Sequence, residues 1–229
     1  MSLINAIHEE DYKKVLELIS AGANLDTKDK GGRTALMYAS LYEHSKIGLA
    51  LISAGANLDF QDKDGRTALV YASLYGHSKI GLALISACAN LDTKDKSGNT
   101  ALIWASCKGY SKIGLALVSA GANLNIQDKY GNTALIFASC KGHSKIGLAL
   151  IAAGANLDTK DKDGNTALTV ASYKEHSKIS KAIENWKQTP RSLKFSIHIY
   201  ISKNNIDTSK TPFLLSDRNN IEKEIKCHL

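Results

Sequence analysis

Three kinds of residue in this chain could do chemistry, and nearly all of them recur at one spacing. Carboxylates stand at Asp29, Asp62, Asp95, Asp128 and Asp161, each 33 residues after the last. Histidines follow at His44, His77, His143 and His176, with Tyr110 holding the equivalent place in one copy. Thiols sit at Cys88, Cys107, Cys140 and Cys227, none of them in the close pairs that bind zinc or shuttle disulfides. Convergent carboxylates would suggest acid/base work, and clustered His and Cys a metal. A group that returns in every copy instead serves what every copy needs, which is a turn. Equivalent positions in stacked copies lie about one helix-packing distance apart, ~10 Å. That is too far to share an ion with ligand bonds of ~2 Å, and beyond the ~7 Å Cα limit for a Cys107 to Cys140 disulfide. No Gly-rich phosphate loop, Ser-His-Asp set or His-Glu-x-x-His helix is present. No catalytic, cofactor or metal site is expected, and the chain is read as not an enzyme.

The elements that position these groups follow from the same period. The motif Asp-Lys-x-Gly marks the start of five units, 29-61, 62-94, 95-127, 128-160 and 161-187, and the first two differ at only six positions. Within the second unit, Asp62-Lys63-Asp64-Gly65 is turn chemistry. Thr67 is placed to cap a short helix through Ala68, Leu69, Ala72 and Ser73, which Gly76-His77 ends. Ser78 is expected to cap a second helix whose Ile80, Leu82, Ala83, Leu84 and Ile85 are apolar almost all round, as in a helix sandwiched between neighbours. Gly22, Gly55, Gly121 and Gly154 follow that second helix as left-handed stops, and Cys88 takes their place in one unit.

One such unit cannot bury its own apolar faces, so stability must come from stacking. The ends of the array carry polar substitutions. Lys181 and Glu184 replace Leu148 and Ile151 of the preceding unit, and Glu9, Glu10, Lys14 and Glu17 mark residues 1-28 as an N-terminal cap. The fold class is therefore all-α, a helix-turn-helix repeat solenoid with turn or hairpin tips. Beyond residue 187 the period stops. The tail, 188-229, alternates Phe195, Ile197, Ile199 and Ile201 with polar residues, predicting a short strand over 194-202, and a short helix is expected over 220-227.

The units resemble the ankyrin repeat family. Asp62, Gly65, Thr67-Ala68-Leu69-Val70, Ala72-Ser73, Gly76-His77, Leu84-Ile85 and Ala89-Asn90 follow that family's order of turn, Thr-Pro-Leu-His start, Ala-Ala, Gly-His and Leu-Leu helix. There are two consistent departures. Ala35, Ala68, Ala101, Ala134 and Ala167 stand at the family's proline; Met37, Val70, Ile103, Ile136 and Thr169 stand at its histidine. At the latter positions the turn is expected to be held by packing alone.

The resemblance implies a module that binds a partner protein non-covalently through a concave face lined by turn tips and the exposed side of each first helix. Those places vary here. Their residues are Arg33, Leu41, Tyr42, Phe60, Arg66, Leu74, Tyr75, Lys108, Tyr130 and Lys141, and Asn99, Asn132 and Asn165 stand where Arg33 and Arg66 do, so the N-terminal half offers Leu, Tyr and Arg and the C-terminal half Lys and Asn. Tyr and Arg combine large buried area with a directional polar end, the chemistry of interface hot spots.

Two other functions are compatible with the sequence. Lys46, Lys79, Lys112, Lys145 and Lys178 form a stripe that could meet nucleic acid or anionic lipid. The net charge of +7, with +3 of it from Gln188 onward, is mild, and no basic tract with interleaved aromatics marks a nucleic-acid groove. Phosphate binding would weaken log-linearly with salt, which separates it from an apolar hot spot. The chain could also serve as the targeting or regulatory subunit of an enzyme. No charge-free run reaches the ~18 residues of a membrane span, and Met1 to Lys14 lacks the order of a secretory signal. A monomer in the cytoplasm is expected, or in a host cell if the protein is an exported effector.

Overall fold

The computed structural model describes residues 3–190, so the strand and helix expected at 194-202 and 220-227 lie outside the described residues. Within them the chain forms helices α1 (Leu3–His8), α2 (Tyr12–Ser20), α3 (Ala35–Leu41), α4 (Ser45–Ser53), α5 (Ala68–Tyr75) and α6 (Ser78–Ser86). These are followed by α7 (Ala101–Lys108), α8 (Ser111–Ser119), α9 (Ala134–Lys141), α10 (Ser144–Ala152), α11 (Ala167–Tyr173) and α12 (Ser177–Gln188). No strand occurs among the described residues.

Each first helix starts where its threonine allows. The N–H groups of Met37, Val70, Ile103, Ile136 and Thr169 donate to the hydroxyls of Thr34, Thr67, Thr100, Thr133 and Thr166 at 3.3–3.4 Å. That satisfies one of the donors a helix start leaves open. The second helices differ from expectation. His44, His77, Tyr110, His143 and His176 occupy their N-cap positions without a side-chain cap, and Ser78 is the first helical residue. Its hydroxyl instead donates to the carbonyl of Gly76 at 3.3 Å.

The structure divides into two compact units, one ending at Ala105 and one beginning at Ser106. In the first, α3 packs on α5 and α4 on α6, while α1 and α2 cover α3 and α4. In the second, α9 packs on α11, and α10 on both α8 and α12. Layer-to-layer approach is close because a glycine sits mid-helix: a Cβ on Gly48 would meet the Ile80 side chain, and one on Gly147 would come within 3.1 Å of Ile179 Cδ1. Ile47, Leu51, Ile80 and Leu84 are buried, as are Ile146, Leu150, Ile179 and Ile183. The second helices are less enclosed than their composition suggests. Leu49, Leu82 and Leu115 are only half-buried; Leu148, above α12, is buried. On α12 itself Lys181 and Glu184 face water.

Histidines stitch neighbouring repeats. In the first unit the His77 ring places Nδ1 2.8 Å from the carbonyl oxygen of Ser40, and in the second the His176 ring places Nε2 3.3 Å from that of Cys140. A carbonyl only accepts, so the ring nitrogen is the donor. The bond satisfies one of the carbonyls left open at the end of the preceding first helix.

Candidate protein-interaction surface

The turns are built around their aspartates. Oδ1 of Asp29 accepts from the backbone N–H groups of Gly31 and Arg33 at 2.7 and 2.8 Å, and Asp62, Asp95, Asp128 and Asp161 repeat the arrangement with the residues two and four ahead. Consecutive turns are joined by backbone bonds, from Lys63 N–H to the Gly31 carbonyl, Lys96 to Asp64, and Lys162 to Tyr130. The carboxylates are therefore structural, as their periodicity implied.

The second oxygen of each carboxylate corrects the expectation that packing alone holds the turn. The residue after the missing histidine takes over the bond from helix to turn. Tyr38 donates its phenolic hydrogen to Asp29 Oδ2 at 2.6 Å, Tyr71 to Asp62 Oδ2, and Trp104 its Nε1–H to Asp95 Oδ2 at 2.9 Å. Phe137 and Val170 hold this position in the last two repeats and have no donor. There the turn supplies one itself: Asn132 Nδ2 lies 3.5 Å from Asp128 Oδ2, and Asn165 Nδ2 3.2 Å from Asp161 Oδ2.

This network fixes ionisation. Burial pushes the Asp29 carboxyl up, but hydrogen bonds from Tyr38 and from the N–H groups of Arg33 and Gly31, with the Arg33 charge, outweigh it and leave the pKa below the ordinary value. Burial, and then the bond to the Asp62 carboxylate, push the Tyr71 phenol up to about 12.

The residues singled out from sequence fall into three groups. Arg33 and Arg66 are not free rim cations. Arg33 Nε donates to Tyr71 Oη at 3.2 Å and lies 3.5 Å from Asp62 Oδ2, so it ties one repeat to the next. Arg66 is half-buried with its Nη1 4.0 Å from Asp64 Oδ2. Leu41 and Leu74 are half-buried, and Phe60 lies under Lys28, whose Nζ is 4.0 Å from the ring centroid. The third group is open to solvent: Tyr42 is 52% exposed, Tyr75 46% and Tyr130 68%, and Lys108 and Lys141 are exposed as well.

Tyr42 and Tyr75 occupy equivalent places at the ends of α3 and α5, which pack together. Both rings are braced. Tyr42 stacks on Tyr38 with centroids 6.1 Å apart and meets His8 and His44 at 6.2 and 6.0 Å, while Tyr75 stacks on His77 at 6.0 Å. An exposed ring already held in place loses little freedom on binding. The bracing by His8, which stands 33 residues before Leu41, was not foreseen.

A feature missed from sequence is a cleft in the second unit, lined by residues of α9 and α11 and their turns, among them Ile136, Phe137, Val170, Asn132, Asn165 and Tyr173. Cys88, Cys107 and Cys140 are unpaired, and burial pushes the Cys107 thiol up despite Lys108 and Lys141. A raised pKa keeps it protonated near neutrality. Among the described residues no group of three or more His, Cys, Asp or Glu is placed to hold a metal ion, and no helix is long and apolar enough to cross a membrane.

Paired short helices joined by aspartate turns, stacked through buried second helices, define a helix-turn-helix repeat solenoid. The family model for ankyrin repeats matches residues 3–95, 49–128 and 115–188, and the chain belongs to the ankyrin repeat family. Its structure is similar to the crystal structure of EF0377, an ankyrin repeat protein, with a TM-score of 0.75 and 29% identity over 82% of this chain and 98% of that one. Comparison with curated proteins gives no significant match. Ankyrin repeats are in general protein-protein interaction modules.

Proposed function

We propose that the chain is a non-catalytic module that binds a partner protein through the face formed by its turn tips and first helices. The observation that carries this reading is the pair Tyr42 and Tyr75, exposed at equivalent positions on packed helices and braced by rings beneath. Tyrosine presents a large apolar face and a hydroxyl at the cost of few rotatable bonds, which suits it to the centre of an interface. Changing both to alanine should cost at least ~2 kcal/mol of binding, roughly thirtyfold in affinity. Isothermal calorimetry with the captured partner tests this against Lys46→Ala with Lys79→Ala, which should do much less. An intact tyrosine variant beside a crippled lysine variant would transfer the function to the lysine stripe.

A further inference from the structure

We propose that the cleft between α9 and α11 docks an extended acidic protein segment, seating one apolar side chain against Phe137 and Val170. This deepens the reading of the chain as a protein-binding module and concerns a surface separate in sequence and chemistry from Tyr42 and Tyr75.

The cleft, about 400 Å³ in volume, lies where one repeat lacks the ring of its equivalents and the repeat before it keeps a ring without a donor. In the first unit the position after the missing histidine is filled by Tyr71, whose hydroxyl is tied to Asp62 and Arg33. In the second it is filled by Phe137 and then by Val170, both of which line the cleft and neither of which is fully buried. The walls thus present an apolar patch that can take a side chain of leucine or phenylalanine size.

Asn132 and Asn165 give the cleft its preference for a peptide. Each spends one amide N–H on its turn aspartate and makes no other side-chain bond within the described residues. An Oδ1 acceptor and a second N–H donor remain on each. A side-chain amide with both roles open matches a peptide group, which also offers one donor and one acceptor.

Charge selects the sign of the occupant. Residues 1–105 carry eleven Lys and Arg against twelve Asp and Glu, whereas 106–190 carry eleven lysines against six carboxylates, a net of +5. Of those six, Asp128 and Asp161 are occupied in turns and Asp158 is paired with Lys187. Lys141 follows the cleft residue Cys140, and Lys174 lies 5.4 Å from the ring of the cleft residue Tyr173. Lys108 and Lys141 form no ion pair within the described residues, so their charge is available to a ligand. Nucleic acid fits less well. The lysines beside the cleft, Lys141 and Lys174, come one to a repeat, Asp161 stands in the wall, and Tyr173 is the one exposed ring among the lining residues, so there is no row of stacking platforms along the cleft.

The test is fluorescence anisotropy on the full chain. The probe is a short labelled peptide with one central leucine flanked by glutamate and serine. Its comparators are a version with glutamine for glutamate, a version with alanine for leucine, and an oligo-dT strand of equal charge. The acidic leucine peptide should bind, and both altered peptides should bind at least about tenfold more weakly. Val170→Tyr, which restores the ring present in the first unit, should weaken binding by at least about tenfold. Lys141→Glu with Lys174→Glu should do the same, and being exposed should leave the helical circular dichroism unchanged. Tyr42→Ala with Tyr75→Ala should leave this peptide's affinity unaltered. Absence of peptide binding, equal affinity for the glutamate and glutamine peptides, tighter binding of oligo-dT, or indifference to Val170→Tyr would each overturn the cleft proposal. Any of these beside partner binding that still depends on Tyr42 and Tyr75 overturns the cleft alone and leaves the module reading intact.

Discussion

Asp62 shows how much one residue of the repeat carries. Its two oxygens accept from Asp64 N–H, Arg66 N–H and the Tyr71 hydroxyl, and its side chain is almost fully buried beside Arg33. Removing the Tyr71 hydroxyl leaves a buried acceptor short of a partner, so Tyr71→Phe should cost about 1–3 kcal/mol in denaturant unfolding. The raised pKa adds a pH signature. A phenol whose folded pKa lies above its unfolded value contributes stability that is complete below about pH 10 and lost as pH rises toward about 12. Tyr71→Phe should remove that part of the alkaline decline, which melts taken across this range would show. Cys88 makes the opposite case. Its φ of 61° is the left-handed conformation that Gly55 and Gly121 adopt at 84° in equivalent places. A Cβ there meets nothing at those glycines, so backbone strain alone sets the penalty. Cys88→Gly should stabilise the protein by roughly 1 kcal/mol; no gain in the unfolding midpoint would contradict that account. The turn aspartates and the strained cysteine were readable because each breaks or keeps a strict period. The roles of Tyr38, Tyr71 and Trp104 were not, since a ring nine residues after an aspartate looks like ordinary helix packing. A partial signal was available, since asparagine follows the turn glycine in both repeats whose Phe137 and Val170 lack a donor, although Asn99 stands in the Trp104 repeat as well.

At the scale of the helix, the two halves of each repeat begin differently although both carry a hydroxyl residue near the start. Thr67 stands outside α5 in an extended conformation, with φ −94° and ψ 171°, and its oxygen meets the N–H three residues on. Ser78 is already helical, and its hydroxyl turns back to Gly76. The sequence pattern offers both as caps because the residue type is the same. What separates them is that His77 takes the cap position, its ring committed to the Ser40 carbonyl of the neighbouring repeat. Thr67→Ala should therefore cost about 1 kcal/mol, and Ser78→Ala a few tenths at most in the same unfolding experiment. Equal losses would mean that the second helices are capped by their serines after all. The all-α class and the position of every first helix followed from the 33-residue period. The half-exposed Leu49 and Leu82 did not, because composition reports how apolar a helix is and not how completely its neighbours cover it.

Over the whole molecule, similar repeats form two compact units of different charge, about neutral up to Ala105 and basic from Ser106 to residue 190. The first unit carries the aromatic cluster and the second the amide-lined cleft. The cluster was visible as exposed tyrosines at repeating positions; the cleft was not, because it arises from what Val170 lacks. Protein binding through the turn and first-helix face is the central claim, and amide hydrogen exchange on the full chain, with and without a captured partner, tests it most directly. Added protection is expected in α3, α5 and the turns that precede them, with α4 and α6 unchanged. Protection confined to the starts of α4 and α6, around Lys46 and Lys79, would contradict it.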